Sequence, residues 1–312
     1  MTERGFDARG WALFLALAAM WGSSYFWIKV AVGSLAPFTI VMGRLVIGAV
    51  VLVVAVRVLR VALPRDRGTY GRLFALAVVN VALPWVLITF AEQSVDSALA
   101  SILNATVPLF TVVIAARLLP EERITVRRLG GLTLGFLGVI VLVSRDLGGG
   151  AGSTLVGQLL MVGSSVCYAV GTSYARRASR GLQPVVPALF EVVFSLALIA
   201  PLALALEAPW SATPTPDALV AVAWLGVFGS GLAFLAYFGL IGRWGPTRTS
   251  VVAYVLPVVG LLLGVVVRGE RADATLLLGG ALILGGVVTL SGRRGLPRLR
   301  GGAPVRDAVP PV

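Results

Sequence analysis

The sequence predicts an all-α integral membrane protein of ten transmembrane helices, arranged as two inverted five-helix repeats. Three observations predict this. Of the 312 residues, 58 % are hydrophobic and 13 % charged, whereas a soluble domain carries about a quarter charged residues. A chain of this composition needs a second apolar solvent, and the lipid bilayer supplies it. The chain also repeats itself at an offset of 149 residues: Ser101, Pro108, Glu121, Leu129, Gly130 and Gly131 recur as Ser250, Pro257, Glu270, Leu278, Gly279 and Gly280. Duplication in an apolar chain is how many secondary carriers are built. Finally, the basic residues fall in short gaps between apolar runs, mostly on one side of the predicted membrane.

Apolar runs of membrane-crossing length place spans at 11–32, 37–59, 71–91, 97–118, 126–144, 155–175, 184–206, 218–241, 249–268 and 274–291. The first is too long for a signal-peptide core and is read as an uncleaved span. Only a tight turn fits between it and Pro37. Spans three, four and nine carry Pro84, Pro108 and Pro257, which free backbone carbonyls and either line a cavity or make plain kinks. Spans five and ten are glycine-rich, with Gly131, Gly135 and Gly138 in one and Gly279, Gly280, Gly285 and Gly286 in the other. Such small residues let helices approach closely in lipid, which suits a scaffold or an oligomer contact such as a homodimer. The longest linker, with its Gly148-Gly149-Gly150 run, separates repeats at 11–144 and 155–291, and a basic tail follows at 292–312. Its Arg, Pro and Gly content predicts disorder.

With the N-terminus cytoplasmic, that side holds 21 arginines and the other side Lys29, Arg145, Arg268 and Arg271. This is a strong positive-inside asymmetry and puts both termini in the cytoplasm. It also accounts for the net charge of +12 without any nucleic-acid partner. Five spans per repeat is an odd number, so the second repeat enters the membrane from the opposite face, about a pseudo-twofold axis in the membrane plane.

The chain has no histidine, so the usual metal ligand and neutral-pH proton shuttle are missing; no cofactor or metal is expected. The single cysteine, Cys167, cannot form an intrachain disulfide and reads as packing. No G-x-x-x-x-G-K-[ST] loop occurs, so ATP is not the direct energy source.

Charges inside a span are costly and usually functional. Arg44 and Glu191 lie well inside, each about 10 Å along its helix from the entry face. An offset of 147 residues pairs them as symmetry mates, near opposite sides of the midplane and with no need to touch. Arg44 is either a structural anchor or a binding group for an anionic or zwitterionic substrate. Glu191 is either a neutral, hydrogen-bonded structural carboxyl or the proton-coupling residue, since burial favours the neutral form of a carboxyl. Glu92 and Asp96 read as solvated loop charges, with an outer gate or a second titratable site as the alternative. Lys29 reads as a snorkelling cation. A small-molecule cavity needs aromatic walls and a few hydrogen-bonding groups; the substrate-binding candidates are Trp21, Ser24, Arg44, Asn80, Trp85, Asn104, Tyr168, Tyr237 and Tyr254. Tyr25 and Gln158 are further polar residues within spans.

The ordered segments Trp21-Gly22-Ser23-Ser24 with Lys29, then Arg44, then Ala91-Glu92-Gln93, then Ala105-Thr106-Val107-Pro108-Leu109-Phe110 leading to Pro120-Glu121-Glu122, carry a resemblance. The second half adds Tyr254-Val255-Leu256-Pro257 leading to Gly269-Glu270. Over residues 11–291 the chain resembles the paired EamA domains of the drug/metabolite transporter superfamily. The resemblance implies a ten-helix inner-membrane carrier with both termini cytoplasmic. It also implies a central cavity from spans one to four and six to nine, with five and ten at the back. The chain departs from the pattern at Tyr168-Ala169, opposite Trp21-Gly22, and at the acidic mate of Arg44. The expected function is secondary active transport of a small metabolite, an amino acid-like compound or drug, by alternating access: proton-coupled export across the cell membrane. The alternatives are an integral-membrane enzyme acting on a lipid-linked substrate, which lacks the clustered acid–base groups it needs, and a channel or receptor.

Overall fold

The computed structural model describes residues 8–118, 126–147, 152–244, 249 and 252–291. Glu121, Ser250, the triple-glycine linker and the basic tail lie outside the described residues. Every regular element among the described residues is helical. Eight helical stretches are long and apolar enough to cross a membrane, and Val252–Arg268 and Ala274–Thr289 are shorter apolar helices.

Three of the first four spans are interrupted. α1 (Ala8–Gly22) and α2 (Ser24–Ala31) meet at Ser23, and α1 lies so close to the later Val252–Arg268 helix that a β-carbon on Gly22 would sit 2.5 Å from Val259 Cβ. α3 (Pro37–Val58) starts with proline at its first position, where the missing N–H costs nothing. α4 (Arg67–Ala77) is capped by Asp66, whose carboxylate accepts from the Thr69 N–H at 2.8 Å. It then widens into a π-helical segment, Val78–Ala82, before α5 (Leu83–Ala91). α6 (Ser97–Asn104) and α7 (Val107–Leu118) are parted at Ala105-Thr106, just ahead of Pro108.

The remaining helices are α8 (Val126–Leu147), α9 (Gly152–Ala178), α10 (Val185–Leu206), α11 (Pro216–Trp224), α12 (Ala233–Trp244), α13 (Val252–Arg268) and α14 (Ala274–Ser291). A second π-helical segment, Leu225–Leu232, joins α11 to α12. It begins 147 residues after the first, at Leu225 against Val78. π-Bulges are rare and cluster at functional sites; here both interrupt the third long helical stretch of their half.

The glycines of α8 and α14 are spent on each other within one chain. A β-carbon on Gly138 would lie 2.7 Å from the Gly279 carbonyl oxygen, and one on Gly286 would lie 2.6 Å from the Gly131 carbonyl oxygen. Of the two sequence readings, scaffold and oligomer contact, this packing fits the scaffold.

Two carboxylates tie helix starts to distant turns. Glu207, just past α10, accepts from the Phe38 N–H (2.9 Å), the Thr39 N–H (2.7 Å) and the Thr39 hydroxyl (2.8 Å) at the start of α3. Glu270, past α13, accepts from the Ser97 N–H (3.1 Å), the Ser97 hydroxyl (2.7 Å) and the Ala98 N–H (2.9 Å) at the start of α6. Gly269, at φ +69°, turns the chain back so that Glu270 reaches this position, and Gly264 leaves room for its carboxylate. The negative charge sits where each helix dipole is positive.

Candidate functional site

The two π-helical segments place the site. In an α-helix every carbonyl is engaged four residues on; a π turn shifts that register and re-aims the side chains around it. Asn80 lies in the first segment and Ser230 in the second. Each faces the charged residue of the other half.

Arg44, on α3, is 4 % exposed. Its Nε donates to Ser230 Oγ at 3.1 Å. Its guanidinium carbon lies 3.7 Å from the centroid of the Trp85 ring, a cation–π stack. A β-carbon at Gly229 would lie 3.2 Å from Ser24 Oγ and 3.4 Å from Arg44 Nη2, so this backbone approach depends on glycine. Trp21 donates from Nε1 to the Gly229 carbonyl at 3.2 Å and its ring centroid lies 5.3 Å from that of Tyr237. Ser24 donates back to the Met20 carbonyl at 3.0 Å.

Glu191, on α10, is 5 % exposed and accepts from Asn80 Nδ2 at 2.7 Å. Gly171 on α9 makes room for that amide: a β-carbon there would lie 2.6 Å from Asn80 Oδ1. The two bonded pairs cross: an α3 arginine meets the second π segment, and an α10 glutamate meets the first. Tyr168, on α9, lies between them within electrostatic range of both Arg44 and Glu191, and in hydrogen-bond contact with Trp85. The two charges thus have different hydrogen-bond partners yet converge on one tyrosine. Tyr237 is also within range of Glu191.

The structure thus gathers Trp21, Ser24, Arg44, Asn80, Trp85, Tyr168, Tyr237 and Glu191 into one polar and aromatic layer. Asn104 sits at its edge beside Tyr25, which itself lies in range of Arg44, Tyr168 and Glu92. Tyr254 is not brought in. It packs with Leu109, Leu132 and Val287 in a separate apolar cluster against α8 and α14. Gln158 is fully buried further along α9.

Three residues stand out that the sequence reading missed or misplaced. Ser230 was not a candidate; the Gly229-Ser230-Gly231 run in an apolar span was the available signal of close backbone approach. Glu92 reads as a solvated loop charge, but the structure buries it completely. The turn that carries it is covered by α2, α6 and α9, whereas Asp96 in the same turn stays exposed. Lys29 does not reach outward as a free cation: its Nζ donates to the carbonyls of Glu92 (2.9 Å) and Val95 (2.8 Å). Beside this turn an open groove of about 550 Å³ is lined by Phe90, Gln93, Ser94, Val156, Gly157 and Leu160. No group of three His, Cys, Asp or Glu side chains suited to a metal ion occurs among the described residues.

The chain matches the model of the EamA-like transporter family twice, over residues 8–144 and 155–292. It is 32 % identical over 262 residues to the uncharacterized inner membrane transporter YedA of Escherichia coli K12, an alignment spanning 83 % of this chain and 82 % of the relative. It is 27 % identical over 275 residues to a probable terminal-alkyne amino-acid exporter of Streptantibioticus cattleyicolor, spanning 87 % of this chain and 89 % of that one. A solved crystal structure has the same fold at a TM-score of 0.65 and 22 % identity, over 91 % of this chain and 98 % of the other.

Proposed function

This chain belongs to the EamA-like transporter family, and from that premise we propose that it is a proton-coupled secondary carrier that exports a small amino acid-like metabolite or drug by alternating access. The observation that carries the reading is the crossed pair of buried charges, Arg44 with Ser230 and Glu191 with Asn80, meeting at Tyr168. Buried ionisable groups in a membrane protein mark substrate and proton pathways. A carrier needs one group that holds cargo and one that carries the coupling ion, both placed where two repeats meet.

Arg44 is the cargo anchor. Its Nη2 side, beside Gly229 and Ser24, offers a fork that fits a carboxylate or phosphate-like anion. Trp85, Tyr168, Trp21 and Tyr237 provide aromatic walls for the rest of the molecule. Glu191 is the proton carrier: neutral while it accepts the Asn80 amide in the occluded layer, ionised when its half opens to water. The architecture this requires is ten spans in two inverted five-helix repeats, 11–144 and 155–291, with both termini in the cytoplasm of a multi-pass inner membrane protein. The paired π segments 147 residues apart support it. Export is favoured by the likeness to the probable terminal-alkyne amino-acid exporter of Streptantibioticus cattleyicolor.

The test is flux in proteoliposomes under an imposed pH gradient, across a panel of amino acids, other metabolites and toxic cations. Saturable, gradient-driven movement of at least one compound is expected. No flux of any of them, with folded protein in the membrane, would overturn the carrier reading.

A further inference from the structure

Glu92 is a buried carboxyl that the crossed pairs do not use. It closes α5, is 0 % exposed, and neither Oε1 nor Oε2 has a hydrogen-bond partner among the described residues. Groups from several elements face it. α2 brings Lys29 and Tyr25, α3 brings Arg44, and the end of α13 with its following turn brings Arg268 and Glu270. α9 meets the same turn at Gly157, where a β-carbon would lie 3.0 Å from the Ala91 carbonyl oxygen. α9 has no titratable residue from Gly152 to Val166.

The arrangement around Lys29 is the informative part. The nearest ammonium donates to two backbone carbonyls, Glu92 O and Val95 O, and gives no hydrogen bond to the carboxyl of the same glutamate. The Glu92 carbonyl lies at the end of α5, where the helix dipole is negative, and the Val95 carbonyl lies in the turn that follows. Arg268 is engaged with Glu270 at 3.7 Å, and Glu270 is itself spent on capping α6. A charged, fully desolvated carboxylate with no donor is strongly disfavoured. These contacts fit a neutral Glu92 carboxyl, which leaves Lys29 to fasten α2 to the turn between α5 and α6.

We propose that Glu92 is a second proton-binding site, distinct from Glu191, whose proton controls whether Lys29 fastens this end of the molecule shut. With the proton bound, Lys29 holds the Glu92 and Val95 carbonyls and α2 lies against the turn. When the proton leaves, the carboxylate draws the ammonium from the carbonyls to itself. The Val95 contact is then lost: Lys29 holds α2 to Glu92 alone, and the Val95-Asp96 part of the turn is released from α2. The step is a simple proton dissociation, COOH to COO⁻ plus H⁺, and the released proton has the groove at Gln93 and Ser94 beside it. The inference deepens the proton-coupled carrier reading, because it places a proton switch at one gate as well as in the central layer.

The test needs no identified cargo. Spin labels are placed at Gly33→Cys and Asp96→Cys, both exposed positions flanking the fastening, in a Cys167→Ser background reconstituted in lipid nanodiscs. The distance distribution is measured by double electron–electron resonance from acidic to alkaline pH. The background protein is expected to show a short distance at low pH and a longer one that grows as pH rises. Glu92→Gln, which mimics the protonated carboxyl, should hold the short distance at every pH. Lys29→Met, which removes the fastener, should show the long distance at every pH and tests the idea even if Glu92→Gln fails to fold. A pH-independent background distribution, or a Glu92→Gln variant that still opens with pH, would each overturn the proposal. Absence of flux in the liposome assay with the pH-dependent distance intact would instead overturn only the carrier reading.

Discussion

At the scale of single residues, the two buried charges make different demands on their surroundings. Arg44 is held by one neutral hydrogen bond and one aromatic face, an environment that suits a planar, weakly hydrated guanidinium and not a compact ammonium. Arg44→Lys should therefore behave like Arg44→Ala in cargo binding, measured by thermal shift against whichever compound the liposome screen identifies. Retention of full binding by the lysine variant would show that only charge matters. Ser230→Ala removes one hydrogen bond to a charged group, of a kind that contributes about 1.5–3 kcal/mol; it should lower the unfolding midpoint in detergent while leaving the Trp85 stack in place. Glu191 has a single polar partner, the Asn80 amide, which can serve either protonation state by presenting its NH₂ or its oxygen. Glu191→Gln should fold normally and abolish flux driven by a pH gradient. Normal gradient-driven flux in that variant would remove Glu191 as the coupling group.

At the scale of elements, the helices divide into those that are broken and those that are not. The α1–α2, α4–α5, α6–α7 and α11–α12 stretches are each interrupted by a break or a π segment, and all four supply residues to the polar layer or its edge. α8 and α14 are uninterrupted and interlock through glycine. This division was partly legible in the sequence. The prolines at 84 and 108 marked two interruptions, and the glycine pattern marked α8 and α14 as packing helices. The π segments were not legible, because a π turn leaves no residue-type signature comparable to proline. Without them the partnership of Asn80 with Glu191 and of Ser230 with Arg44 could not be read, although the offset had already paired the two charges. Glu92 was misread for a related reason. A five-residue polar turn looks solvated in one dimension, and only the packing of three other helices buries it. The glycine ladder carries its own prediction. Gly286→Val should overpack α8 against α14, a class of change that costs about 1–3 kcal/mol. The unfolding midpoint should fall, while flux per folded molecule stays close to that of the parent. A variant as stable as the parent would mean that these helices part more readily than their backbone contacts suggest.

At the scale of the whole molecule, the family match runs over both halves of the chain separately, and the charge pattern makes a directional statement that the helices alone do not. Exposed apolar side chains such as Val50, Leu129, Ile140, Leu262 and Val266 are what a lipid-facing surface requires, but an apolar belt looks the same from either side. Orientation rests on the arginines, 21 on one face against four basic residues on the other. Juxtamembrane arginines resist translocation, so the face that carries them is expected to stay in the cytoplasm. The turns ending at Asp96 and near Thr213 then face outward, while the turn holding Arg60 and Arg65 faces inward. Single cysteines at Asp96 or Thr213, both exposed, in the Cys167→Ser background should react with a membrane-impermeant maleimide added to intact cells. A cysteine at Arg65 should react only after the membrane is opened. In the proposed arrangement of two inverted five-span repeats, the two outward positions sample both halves. Labelling at Asp96 with none at Thr213 would break the inverted repeat. The reverse pattern at all three positions would turn the molecule over and, with it, the face on which the Glu92 switch opens.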